Sequence, residues 1–241
     1  MLEKMLEIWQ NNYPLFINGT ILTLQISLIG TILGLLIGLG IGIIRTLPKK
    51  SGMSGLVQKL INAILSFYIL FFRGTPMMVQ SMVIYFGIPL FFDVRLPLVP
   101  AAFFIVSINT GAYMSEVVRG GILSIDKGQF EAAYASGMTH FQTMLYVILP
   151  QTLRNILPAT GNEFVINVKD TSVLNVIGVS ELFFQSRSIA GANFNYFGTF
   201  FVTCIIYLIL TTIITNVLRF AEKKMDGPKD FELKSGNQMQ V

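Results

Sequence analysis

The sequence predicts an all-α membrane protein with five transmembrane helices, on three observations. Charge is scarce: only 12% of the residues are charged, about half the roughly 25% usual in a soluble domain. Apolar residues make up 53% of the chain, and the mean hydropathy is +0.64. The charges are also segregated, because residues 8–44 and 188–218 carry none. A membrane-crossing helix needs only about 20 apolar residues. A buried soluble core has no need of such runs.

The 241 residues read as one transmembrane domain, 1–241. The start, Met-Leu-Glu-Lys-Met-Leu-Glu, lacks the basic n-region of a secretory signal, and the apolar run behind it exceeds a signal's h-region. An uncleaved first span over 15–44 follows, with Leu2, Met5, Leu6 and Trp9 suited to a short interfacial amphipathic helix before it. Arg45 to Lys50 form a basic loop. The second span covers 57–86 and is interrupted by Arg73-Gly74-Thr75-Pro76. Pro89, Asp93, Arg95 and Pro97 mark 87–97 as a loop. A third span covers 98–118, and a polar stretch occupies 119–146. The fourth span, 147–168, is the weakest because it carries Arg154 and Glu163. A mixed segment precedes the last span, 196–218, and a charged tail fills 219–241.

Basic residues set the orientation through the positive-inside rule. Arg45, Lys49, Lys50, Lys59, Arg119, Lys127, Arg219, Lys223, Lys224, Lys229 and Lys234 fall on one side, against Lys4, Arg95, Lys169 and Arg187 on the other. That bias predicts an outer N-terminus, a cytoplasmic C-terminus and a cytoplasmic 119–146 loop. The net charge of +4 thus needs no nucleic acid to explain it. Gly30, Gly34 and Gly38 recur every fourth residue, a spacing that lets helix backbones approach closely. The chain shows no P-loop, no metal-ligand cluster and no Ser-His-Asp set. Its single cysteine, Cys204, lies in an apolar run, and its single histidine, His140, in the polar stretch. Neither points to catalysis. The chain reads as a non-enzyme with no cofactor or metal of its own.

The strongest signal is in the 119–146 loop. Glu131-Ala132-Ala133-Tyr134-Ala135-Ser136-Gly137 is followed, nine residues after the glycine, by Val147-Ile148-Leu149-Pro150. Residues 129–136 suit a short helix in which Ala132, Ala133 and Ala135 allow a partner surface to come close. Gly137 suits a left-handed cap, and a second helix over 140–148 leads to Pro150, which should kink it. The pattern resembles the EAA loop of ABC importer permeases, with Val147 in place of the motif's isoleucine. In that family the loop docks on the nucleotide-binding subunit. The resemblance therefore implies ATPase coupling for Glu131, Ala132, Ala133, Gly137 and Pro150.

Arg73-Gly74-Thr75-Pro76, Leu157-Pro158-Ala159 leading into Gly161-Asn162-Glu163-Phe164, and Lys169-Asp170-Thr171-Ser172 are similar to the polar amino-acid uptake branch of that family. The similarity spans about 14–220. It implies a pair of permeases, identical or paralogous, two ATPase subunits holding ATP and Mg, and a periplasmic or lipoprotein binding protein above, in a bacterial cytoplasmic membrane.

Ionisable residues within a membrane are costly and usually paired or functional. On a helix, Thr160, Glu163, Asn167 and Asp170 share one face. That stripe suits an amino acid's ammonium group, and Arg73 its carboxylate as a bidentate partner. Gly74 and Thr75 suit an unwound segment whose backbone meets ligand. Arg73 pairing with Glu163, a solvated Asp170 and a plain helix break at Gly74–Pro76 are the competing structural readings. Met77, Met78 and Gln80 are weaker pore-lining candidates. An ion-gradient-driven transporter or channel is the alternative function, and it would need no EAA-type loop.

Overall fold

The computed structural model describes residues 2–48 and 51–225. Every regular element among them is helical. They are α1 (Leu2–Thr46), α2 (Gly52–Gly74), α3 (Met77–Phe92), α4 (Leu98–Leu123), α5 (Lys127–Ala135), α6 (His140–Gln142), α7 (Leu149–Asp170), α8 (Leu182–Asn193) and α9 (Tyr196–Met225). A π-helical turn, Thr143–Ile148, joins α6 to α7, and a 3₁₀ turn, Thr171–Ile177, follows α7.

Four helices among the described residues are long and apolar enough to cross a bilayer: Glu3–Thr46, Gly52–Gly74, Leu98–Leu123 and Tyr196–Lys224. Met77–Phe92 is a shorter apolar helix. The expected second span, 57–86, is therefore two helices, and α3 runs on through most of the expected 87–97 loop. The expected fourth span is helical as α7, but its charged and polar residues together make it too weakly apolar to join that set. The last helix continues through the start of the expected tail to Met225; residues 226–241, like Lys49 and Lys50, lie outside the described residues.

Among the described residues no separate interfacial helix precedes the first span. Residues 2–14 are the opening turns of α1, whose 45 residues extend roughly 67 Å at 1.5 Å per residue, well beyond a hydrocarbon core of about 30 Å. Met5 and Ile8 are buried there, packed with Phe16, Leu182, Ile189 and Val202. Burial against α8 and α9 holds this segment in line with the rest of the helix.

The core is a seam between α1 and α4. Gly30, Gly34, Gly38 and Gly42 face Val106, Thr110, Met114 and Val118 in turn. A β-carbon at Gly34, Gly38 or Gly42 would come within 2.5–2.6 Å of its partner side chain. Only glycine allows this approach, so the four-residue repeat in the sequence is the seam itself. In lipid, such close packing replaces the hydrophobic drive that water would supply.

Candidate functional site

Two helix breaks meet at one level of the structure. The first is Thr75–Pro76, between α2 and α3, where Thr75 is extended at φ −126°, ψ 150°. Pro76 has no N–H, so the carbonyl of Phe72 loses its helical donor. Gln80 Nε2 donates to that carbonyl at 3.0 Å and to the carbonyl of Thr75 at 2.8 Å. Thr75 Oγ1 donates to Phe71 O at 2.8 Å. Asn109 of α4 then donates to Gln80 Oε1 at 2.8 Å and to Phe72 O at 3.4 Å. Gln80 is 2% exposed. It is a brace for the break, and not the pore-lining side chain expected of it.

The second is the end of α7 at Asp170, where the backbone keeps helical angles but tightens into the 3₁₀ turn Thr171–Ile177. Three residues before it, Asn167 is buried and donates from Nδ2 to Thr31 Oγ1 of α1 at 2.9 Å and to Thr110 Oγ1 of α4 at 3.0 Å. Adjacent residues of α4, Asn109 and Thr110, thus tie down both breaks. Gly34 touches Thr110, so both breaks sit near the middle of the apolar 15–44 stretch of α1. Irregular backbone at membrane depth occurs where it is buried in protein or lines a cavity, and discontinuous helices near the midplane are where transporters hold substrate.

The expected site residues divide around these breaks. Gly74 and Thr75 form the first. Arg73, at the end of α2, is exposed, with its guanidinium carbon 5.4 Å from the centroid of the Tyr113 ring. This cation–π contact borders a cavity of about 500 Å³ between α2 and α4, lined also by Ser66, Gly74, Arg45 and Glu116. Glu116 is already committed: it pairs with Arg45 and, at 2.8 Å, with Arg119. Glu163 is half-buried and Asp170 exposed. Among the described residues neither carboxylate has a hydrogen-bond or ion-pair partner, and no ion pair joins Arg73 to Glu163. The stripe 160–163–167–170 does lie on one helix, but Asn167 turns into the core while Asp170 faces out.

Lys169 and Arg219, which the charge bias assigns to opposite sides, are brought together by the fold. The two line one groove between α7 and α9. Beyond Asp170 the chain continues through the 3₁₀ turn and α8 before α9 begins. Glu181 starts α8 by accepting hydrogen bonds from Phe183 N and Phe184 N, each at 2.8 Å. Leu182 N donates to Thr23 Oγ1 of α1 at 3.2 Å and seats the helix.

The 119–146 segment contains the expected helix as α5, which starts two residues earlier and ends one residue earlier than 129–136. Asp126 caps it, accepting from Gly128 N at 2.7 Å. At the other end Gly137, at φ +80°, donates from its N–H to Tyr134 O and Met138 N–H donates to Ala133 O, at 2.9 and 3.1 Å. That is a complete Schellman closure. Thr139 and Gln142 form a capping box at α6. The π-helical turn, in which Leu149 N–H donates to Met144 O, widens the helix just ahead of Pro150, relieving the clash a proline ring makes with the preceding turn. From His140 to Asp170 the chain is therefore one stiff helical run. Glu131, Ala132 and Ala135 are exposed on α5, but Ala133 is 5% exposed and faces its own subunit. Its small size serves internal packing, which differs from the partner approach expected of it.

Sequence reasoning passed over Asn109, Thr110, Thr31 and Tyr113. The polar pair Asn109-Thr110 inside an apolar span was the available signal.

Comparison with known proteins agrees with this geometry. Residues 51–227 match the family described as the binding-protein-dependent transport system inner membrane component. The chain is 41% identical over 213 residues to the glutamine transport system permease protein GlnP of Escherichia coli (strain K12), covering 88% of this chain and 93% of that one. It is 37% identical to the putative glutamine transport system permease of Rickettsia felis, over 88% of this chain and 95% of that one. Among solved structures it resembles an amino acid ABC transporter crystallised with histidines, at 37% identity and a TM-score of 0.74, over 88% of this chain and 95% of that one. The methionine ABC transporter MetNI, at 20% identity and a TM-score of 0.67, over 87% of this chain and 94% of that one, shares the fold.

Proposed function

Since the chain belongs to the binding-protein-dependent transport system inner membrane components, we propose that it imports a polar L-amino acid, glutamine first among the candidates, across the bacterial cytoplasmic membrane. It is a multi-pass permease subunit and does not itself catalyse. ATP and Mg are held by a partner ATPase that docks on Glu131 and its exposed neighbours. A second permease, identical or paralogous, completes the pathway, and a binding protein delivers substrate from outside. The N-terminus is outside and the C-terminus cytoplasmic.

The observation that carries this reading is the pair of helix breaks braced from α4. Arg73 beside one break is free to take an α-carboxylate, and Glu163 and Asp170 beside the other are free to take the ammonium group. The stiff run from His140 to Asp170 links α5 directly to the second break. Movement imposed on α5 by a closing ATPase therefore reaches Asn167, and through Thr110 and Asn109 the first break. That is the mechanical content of alternating access in this chain.

ATP-dependent uptake of labelled amino acids into liposomes holding the whole complex tests the proposal. Glu131→Ala should abolish uptake while leaving substrate binding intact. Arg73→Ala should raise the half-saturating substrate concentration by at least about tenfold, the effect of losing roughly 1.4 kcal/mol of binding. Uptake that proceeds without nucleotide overturns the mechanism. Normal uptake by Arg73→Ala moves the carboxylate site elsewhere.

A further inference from the structure

Phe194 lies in the turn between α8 and α9, in the left-handed region at φ 53° and ψ 19°. A bulky side chain is an outlier there, where glycine or asparagine is the usual occupant. Its two neighbours hold it in place. Asn193 Oδ1 accepts from Asn195 N at 2.8 Å, Asn195 Oδ1 accepts from Gly198 N at 2.9 Å, and Asn193 Nδ2 donates to Thr199 Oγ1 at 3.2 Å. The ring itself is 86% exposed. The chain thus keeps a phenylalanine where backbone and side chain are both unfavourable, and burial among the described residues returns almost nothing. Strain of this kind persists at ligand clamps and functional sites. Phe197, close by, is exposed too. The two rings border a cavity of about 760 Å³ walled on the α1 side by Lys4, Glu7, Asn11 and Asn12.

This corner stands clear of the bilayer. A β-carbon on Gly198 would lie 3.0 Å from Ile8 Cδ1, so the start of α9 is level with Ile8 of α1. From Ile8 to Gly30, the centre of the apolar 15–44 stretch, is 22 residues, or about 33 Å of helix. Tilted by roughly 40°, the upper end of the usual range, α1 still carries Ile8 about 25 Å from the midplane. Lipid head groups end at about 20–22 Å, and an aromatic belt lies within that limit. Phe194 is therefore no membrane anchor.

We propose, resting on the transport reading with an outer N-terminus, that Phe194 and the cavity beside it dock the soluble binding protein that delivers the amino acid. The family is described by its dependence on such a protein. The chemistry of the corner fits a partner that leaves again. Aromatic rings among amides and charges of both signs suit an interface made and broken in each cycle, whereas a permanent contact between two permeases would be more apolar. The Phe194 ring enters an apolar recess of the binding protein, and the Lys4–Asn12 wall meets the polar rim of that recess.

Equilibrium binding of the labelled, amino-acid-loaded binding protein to the permease–ATPase complex in nanodiscs tests this. Phe194→Gly should weaken binding about tenfold and leave the thermal midpoint of the complex unchanged or higher, because glycine accepts the left-handed backbone. Phe194→Tyr should bind like the parent. Unchanged binding by Phe194→Gly overturns the proposal, and so does a lowered midpoint, which would mean that the ring serves the permease's own packing. Phe194→benzoylphenylalanine in the whole complex identifies the occupant: photo-adducts with the binding protein support the site, and adducts with lipid or a second permease copy overturn it. Orientation is read separately. In a Cys204→Ser background, Ala192→Cys should react with a membrane-impermeant maleimide added to right-side-out vesicles. Reaction only in inside-out vesicles overturns the outer N-terminus and the docking site together. Outside reaction with unchanged Phe194→Gly binding overturns the docking site alone.

Discussion

The 126–142 loop and the paired breaks solve the same problem in opposite ways. Both interrupt helices and strand backbone groups that need partners. In the loop every partner is a near neighbour in sequence: Asp126 for Gly128, Gly137 and Met138 for Tyr134 and Ala133, Gln142 for Thr139. At the breaks some partners come from afar: Gln80 takes the carbonyls of Phe72 and Thr75 from nearby, but it is itself held by Asn109 of α4. Asn109 reaches Phe72, and Asn167 reaches Thr31. A locally capped turn is stiff wherever it is placed. A break braced from another helix keeps its shape only while that helix stays in register, so it can change shape when the helix moves. The loop is built as a lever and the breaks as joints.

That contrast depends first on the α1–α4 seam that holds the bracing helix still. Gly38→Leu should have the largest effect. Its β-carbon would lie 2.7 Å from the carbonyl carbon of Met114 and 2.9 Å from the nitrogen of Ser115, and backbone cannot swing aside as a side-chain tip can. Overpacking costs about 1–3 kcal/mol or more, and this site is at the upper end. Size-exclusion chromatography should show loss of assembled complex. Recovery of a normal yield would mean that the seam is soft, and the idea of a fixed bracing helix would fail.

Next comes the brace. Asn109→Leu leaves Gln80 Oε1 without its donor and Phe72 O with one fewer, at a cost of about 1–3 kcal/mol for a buried unsatisfied group. Uptake should fall well below the parent's, while ATP hydrolysis persists and the ATPase still co-purifies. Wild-type uptake would show that the break holds itself open without α4.

The same division explains what was readable in advance. Gly30, Gly34 and Gly38 announced a seam because small-residue spacing is a one-helix property. Gly137 announced the end of α5 because a left-handed cap is local chemistry. Arg73-Gly74-Thr75-Pro76 announced a break, since proline removes a donor whatever surrounds it. The sequence did not reveal that Gln80 and Asn109 would fill the orphaned carbonyls, or that Asn167 would bond two threonines on separate helices. Those pairings depend on how helices are laid beside one another. The burial of Ala133 was not readable for the same reason, because nothing within α5 says which side meets its own subunit.

Ala132 and Ala133 sharpen the lever half of the contrast. Ala133→Leu should destabilise the permease itself by about 1–3 kcal/mol through overpacking, seen as a lower midpoint in a thermal scan without the ATPase. Ala132→Leu should leave that midpoint alone and weaken ATPase co-purification. The reverse pattern would mean that α5 presents its other face to the partner.

The smallest effect belongs to the cap. Thr139→Ala removes a side chain that accepts from Gln142 N at 3.3 Å, a loss of about 1 kcal/mol for an N-cap. The protein should stay folded, since α6 is held at both ends by Gly137 and the π-helical turn. A frayed α6 should make the lever compliant, so that more ATP is hydrolysed per amino acid imported. Uptake and hydrolysis measured on the same liposomes give that ratio. If it is unchanged while the midpoint falls, local capping stabilises the loop without setting its stiffness, and the stiffness must come from the ATPase clamped onto α5.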